Sequence, residues 1–136
     1  MTANIADIRK AVRAVLTGSA PLTALLGTGD RIFYGVVRKP AVFPSIVLGD
    51  VGTRPDVTVP LHLRTFTVDI FANSFEQAEG IATVVKNVLD GHPPTSVGWK
   101  MNVFHLTAER EALVDEGDII TKTVEFSYSA YDVTPL

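Results

Sequence analysis

The sequence predicts an α+β fold: a mostly antiparallel sheet with two main helices packed on one face, in a single compact domain spanning 1–136. Three observations lead there. Residues 64–71, RTFTVDIF, alternate, so that Phe66, Val68 and Ile70 face one way and Thr65, Thr67 and Asp69 the other. Residues 75–89 switch to helical spacing, with Phe75, Ala78, Ile81, Ala82, Val85, Val88 and Leu89 forming one apolar stripe. The last strand alternates again, with Val124, Phe126, Tyr128 and Ala130 on one face and Thr123, Glu125, Ser127 and Ser129 on the other. Strands with one apolar and one polar face belong to a sheet that is wet on one side and covered by helices on the other.

The remaining elements follow in order. Asn4 can cap a first helix on which Ile5, Ile8, Val12, Val15 and Leu16 recur at helical spacing, with Arg9, Lys10 and Arg13 mostly on the other face and Gly18 at its end. A second, short helix begins at the cap Ser19, holds Pro21 in its first turn and closes at Gly27. Residues 31–34 are a short strand and 44–49 another, whose run Ile46-Val47-Leu48 implies burial on both faces. Residues 50–63 contain Gly52, Pro55 and Pro60 and read as a long connection or arm between two strands. Ser74 and Gln77 form a capping box for the main helix, which stops at Asp90-Gly91-His92-Pro93-Pro94. Residues 99–113 and 119–131 read as two long strands joined by the turn 115–118.

Composition restricts function. There is no cysteine, which removes disulfides, thiolate metal sites and cysteine nucleophiles. No apolar run approaches the ~20 residues that span a bilayer, and the N-terminus lacks a signal-peptide pattern. These features predict action inside a cell or in a particle assembled there, with no membrane partner. The chain is 46% hydrophobic and only 20% charged, with a mean hydropathy of +0.25. A domain this apolar is expected to present some of its surface to another chain.

Charge is split along the chain. Residues 1–64 carry eight Lys/Arg and four acids, whereas 65–136 carry four Lys/Arg and eleven acids. The acidic balance argues against sequence-specific nucleic-acid binding. A basic half and an acidic half suit head-to-tail self-association, in which one surface meets a different surface of the next copy; scatter over a mixed surface is the plainer alternative.

No catalytic constellation can be assembled. His62, His92 and His105 lack partners at metal or catalytic spacing. Glu109, Glu111, Asp115, Glu116 and Asp118 crowd into ten residues, but without the alternating ligand pattern of a calcium loop they read as a solvated acidic hairpin over 109–118. Phosphate-binding glycine loops and the GxSxG elbow are absent. The chain is therefore expected to be no enzyme and to need no cofactor or metal. The candidate residues are protein-contact residues: Arg54, Asp56, His62 and Arg64 on the arm, and Glu109, Glu111, Asp115 and Glu116 on the hairpin.

The order of elements carries a resemblance. The first helices running into LTALLGTGDRIFYG, then FPSIVLGD, then FTVDIFANSFEQAEGIATVVKNVLDG, and finally TKTVEFSYSAY resemble the tail-completion or tail-terminator proteins of long-tailed phages, prophages and gene transfer agents. The match runs over nearly the whole chain and rests on this order rather than on an invariant motif. The resemblance implies a small α+β protomer in a hexameric ring on the tail tube, at the neck of a virion or phage-like particle. Such a ring stops tube polymerisation and offers a joining surface to the head connector. Its implied partners are further copies of itself, the tail tube protein and the connector. Alternatives are a head-tail joining or other minor tail protein and, in a different class, a small cellular ligand-binding or regulatory domain.

Overall fold

The computed structural model describes residues 5–27, 31–34, 43–52, 61–92, 94, 99–114 and 119–132. The chain runs through α1 (Ile5–Thr17), α2 (Ala20–Leu26), β1 (Ile32–Tyr34), β2 (Ser45–Gly52), β3 (Leu61–Ala72), α3 (Phe75–Leu89), β4 (Trp99–Met101), β5 (His105–Val114) and β6 (Ile119–Asp132). This is the α+β domain expected, with the short α2 beside the two main helices.

Local chemistry sets the helix ends. Ser19 Oγ accepts a hydrogen bond from the Leu22 N–H at 3.4 Å. Gly27 then closes α2 at φ 88°, a conformation only glycine adopts cheaply. At α3, Ser74 Oγ accepts from the Gln77 N–H at 3.1 Å. The Gln77 side chain reaches back one residue further than a simple capping box, to the Asn73 N–H at 2.8 Å.

The sheet order is β1-β2-β3-β6, with β4 and β5 both on the far side of β6. All pairs are antiparallel except β1 with β2, which are parallel. The sheet is thus mixed at one edge, because β1 enters beside β2 rather than folding back on it. Phe66 opposes Phe126 and Val68 opposes Val124, so the two central strands offer one continuous apolar face. Ile8, Val12 and Leu16 of α1, Leu22 and Leu26 of α2, and Ile81, Val85 and Leu89 of α3 are fully buried with it in one core. Ile46, Val47 and Leu48 are all buried, as their unbroken apolar run predicts.

Two sequence expectations change. Residues 99–113 are not one strand. β4 pairs with 130–132 of β6 and β5 with 119–127, in line along the same edge but interrupted at 102–104. In the gap the Asn102 N–H donates to the Ser129 carbonyl at 2.9 Å. Phe104 makes an isolated bridge to Asp90, and its carbonyl accepts the Gly91 N–H at 2.9 Å. The break shifts the alternation: Trp99 and Met101 are buried before it, Phe104 after it. Phe75 is the second correction. It belongs to the apolar stripe by spacing but is 53% exposed; at the first position of α3 it lies on the outer flank beside Glu79 and Thr83.

A second irregularity matters more for the surface. The β5–β6 register slips between Leu106, opposite Phe126, and Ala108, opposite Glu125. This bulge at Thr107 reverses which face the following residues use. Glu109 and Glu111 now oppose Val124 and Lys122 and turn toward the helices, while Arg110 turns to the open face and pairs with Glu125.

Candidate assembly surfaces

Strand β5 is the edge of the sheet, and charged residues guard it. On the helix side Lys122 is 5% exposed, although it lies in phase with Ile120, Val124 and Phe126. Its ammonium is held by Glu79 Oε2 of α3 at 2.6 Å and Glu111 Oε1 of β5 at 2.8 Å. Glu109 Oε1 lies 3.7 Å from the same Nζ and 2.9 Å from Lys86 Nζ of α3. An alternating chain of charges, Glu79–Lys122–Glu109–Lys86 with Glu111 beside it, therefore ties the flank of α3 to the sheet edge. Lysine can end here because its aliphatic stem lies along the apolar face while its head meets carboxylates.

These ties shift the groups involved. Burial acts to lower the Lys122 pKa, but its hydrogen bonds to Glu111 and Glu79 and the charges of those two residues outweigh it, leaving the ammonium held above the ordinary lysine value. The hydrogen bond from Lys122, then its charge, holds Glu79 below the ordinary glutamate value. The sign of the linkage follows. Stability from the depressed Glu79 is present above its unfolded value of 4.5 and lost as pH falls through the folded one. Stability from the elevated Lys122 is present below its unfolded value of 10.5 and lost as pH rises through the folded one. In thermal melts across pH, Lys122→Met should therefore flatten the acid limb near pH 4 relative to the parent; an unchanged acid limb would show that the cluster contributes nothing.

Beside this cluster lies a groove of about 480 Å³, bordered by Phe75, Glu76, Glu79, Gly80, Thr83 and Glu111. A Cβ at Gly80 would meet nothing within 4 Å, so the glycine leaves a notch in the helix surface. The rim is acidic and the exposed ring of Phe75 is apolar.

The opposite edge of the sheet is basic. Arg13 Nε of α1 donates to the Ile32 carbonyl at 3.1 Å, and Tyr34 Oη donates to the Arg9 carbonyl at 2.7 Å. Lys10 is exposed and lies one helical turn before Arg13. Burial raises the Tyr34 pKa against the lowering effect of Arg13 and Arg9, so its hydroxyl stays a neutral donor. Arg9 Nε is buried without a hydrogen-bond acceptor among the described residues.

The sequence-predicted contact residues distribute as follows. β2 extends through Gly52 and β3 starts at Leu61, so the strands reach further into the 50–63 segment than its glycine and prolines suggest. Arg64 sits in β3 opposite Tyr128 and His62 opposite Ala130. Arg64 is half-buried and shares with Leu63, Val103 and His105 the wall of a second cavity, about 460 Å³, on the open face. Arg54, Asp56, Asp115 and Glu116 lie outside the described residues. Glu109 and Glu111 are brought together, but around Lys122 and Lys86 rather than pointing freely into solvent. Lys122 was the residue that sequence reasoning missed; its apolar phase in β6 was the available signal. Among the described residues no group of three His, Asp or Glu could hold a metal ion, and no helix is long and apolar enough to cross a membrane.

The family model for tail completion protein gp17 matches residues 10–131. The chain belongs to that family. No curated protein matches it by sequence. A chain in the solved structure described as the virion of a native gene transfer agent particle superimposes with a TM-score of 0.81 at 18% identity, covering 93% of this chain and 96% of that one. At that identity the likeness speaks for the fold, and it agrees with the three helices on one face of the mixed sheet. The tail completion family places the protein among the structural proteins of phage tails.

Proposed function

We propose that this tail completion protein caps the tail tube as a ring of six copies at the neck of the particle, stops tube polymerisation and provides the joining surface for the head connector. The observation that carries the reading is the family match over 10–131. The fold shared with a chain of a gene transfer agent virion supports it, as do the acidic and basic edges of the described surface. The work is interface free energy rather than bond chemistry. A terminator satisfies the exposed end of the last tube ring and presents a different surface outward, so no further tube subunit can add.

Arg54, Asp56, His62 and Arg64, with Asp115 and Glu116 at the acidic hairpin, are the proposed axial contacts toward tube and connector. Glu109 and Glu111 belong to the same hairpin, but their internal ion pairs mean that reversing them also loosens α3. Electron microscopy of particles from a producer lacking this gene tests the reading. Tails of uncontrolled length, unattached to filled heads, are expected. Normal tails on normal heads would overturn it and favour a cellular binding domain; tails of correct length without heads would favour a head-tail joining protein.

A further inference from the structure

A closed ring of identical copies needs two different complementary surfaces on each protomer, facing opposite ways. The sheet order supplies them. β1 stands at one end of the row and β5 at the other. At the β1 end, α1 presents Arg9, Lys10 and Arg13 beside Tyr34, which is 37% exposed. At the β5 end, the groove over Gly80 presents Glu76, Glu79 and Glu111 around the exposed ring of Phe75.

Resting on the ring reading above, we propose that the Phe75–Gly80 groove of one copy seats the Arg9–Lys10–Arg13 face of α1 from the next. Four observations carry it. The two edges have opposite charge. Each also exposes an aromatic ring, Phe75 on one and Tyr34 on the other, and aromatic side chains typify interface cores. Gly80 opens a notch that admits an approaching side chain. Arg9 is half-buried rather than sealed, so part of its side chain remains accessible, and carboxylates are the groups that suit guanidinium. Lys122 and Lys86 occupy the inner side of Glu79, Glu109 and Glu111, so those ion pairs hold the acidic rim in place. The Glu76 side chain, in the first turn of α3, makes no hydrogen bond or ion pair among the described residues and is the acid free to meet a partner.

The absence of native cysteine makes the test direct. Lys10→Cys on α1 and Glu76→Cys on α3 place one thiol at each proposed surface, so a short bismaleimide that joins them between copies gives multimers, whereas one that joins them within a copy leaves a monomer. In purified particles the double variant should give a ladder of covalent multimers ending at one limiting size, while each single variant gives none. Dimers from either single variant, or a protein incorporated in the particle yet uncrosslinked in the double variant, would overturn the proposal and leave the terminator reading standing. A cross-link to a different polypeptide would also overturn it. A parent protein absent from particles would instead overturn the terminator reading. Charge exchange gives the second measurement: Lys10→Glu or Glu76→Lys alone should cut the yield of complete particles about tenfold, and the pair together should restore it to within about twofold of the parent. A double variant no better than the singles would sink the pairing.

Discussion

Phe104→Ala should be the most damaging single truncation in the molecule, costing about 3–5 kcal/mol. Its ring is fully buried and stacks on Tyr128 with centroids 4.3 Å apart, with Phe66 at 6.1 Å and Phe126 at 6.3 Å. Truncation removes the centre of this aromatic cluster and leaves a cavity between rings that cannot close without leaving their strands. The backbone of the same residue joins the end of α3 to the sheet through Asp90 and Gly91, so the loosened site also frees that junction. A loss of this size is a large part of the ~5–15 kcal/mol that holds a domain together and corresponds to about 10–15 °C in melting temperature. The single tryptophan, Trp99, is 5% exposed, so its emission should shift red on unfolding and report the change. Phe104→Leu keeps most of the volume and should cost less than half as much. Equal melting temperatures for Phe104→Ala and the parent would show that the break between β4 and β5 is not pinned by this ring.

The second large effect is expected from Lys122→Glu. It replaces the shared cation of Glu79, Glu109 and Glu111 with a fourth carboxylate in a position only 5% exposed. Removing one partner from a buried ion pair costs about 3–5 kcal/mol. The glutamates here are one-third to one-half exposed, so solvent relieves part of their repulsion, whereas the new carboxylate has little access to water. A loss of about 3 kcal/mol at neutral pH is expected. Acid should shrink the gap to the parent, because protonation removes the repulsion in the variant and the ion pairs in the parent. Lys122→Met is the informative control. It keeps the stem along the apolar face and lets the glutamates hydrate, so its cost should be within about 1–2 kcal/mol. Urea denaturation at pH 7 and pH 4 separates these cases. If Lys122→Glu matches the parent at neutral pH, the ion-pair chain does not fasten α3 to the edge strand.

Much of the fold was legible because the information is local. Ser19, Pro21 and Gly27 state the start and stop of α2 within nine residues, and Ser74 with Gln77 does the same for α3. Alternation over 64–71 and 124–130 assigns one face of β3 and β6 to the core without knowledge of any partner, because the period of a strand is a property of the chain itself. The order of these segments was also sufficient for the family resemblance, which the match over 10–131 established.

Other features depend on pairing between distant residues, where a local pattern is silent. The parallel entry of β1, the interruption at 102–104 and the bulge at Thr107 are set by β2 and β6. The bulge decides that Glu109 and Glu111 turn inward and Arg110 outward, so a cluster of acids that reads as a solvated hairpin becomes half of an ion-pair chain. Phe75 has the spacing of a core residue but sits at a helix end on the outer flank, and spacing alone carries no information about where a layer ends. The sequence by itself determined the class, the helix limits, the core faces of the central strands, and the excess of basic charge in the first half and of acidic charge in the second. Only the tertiary structure decided that Arg9, Lys10 and Arg13 of α1 and the glutamates beside β5 stand at opposite edges, because strand order is chosen by long-range pairing and α1 and β5 have no local reason to lie apart.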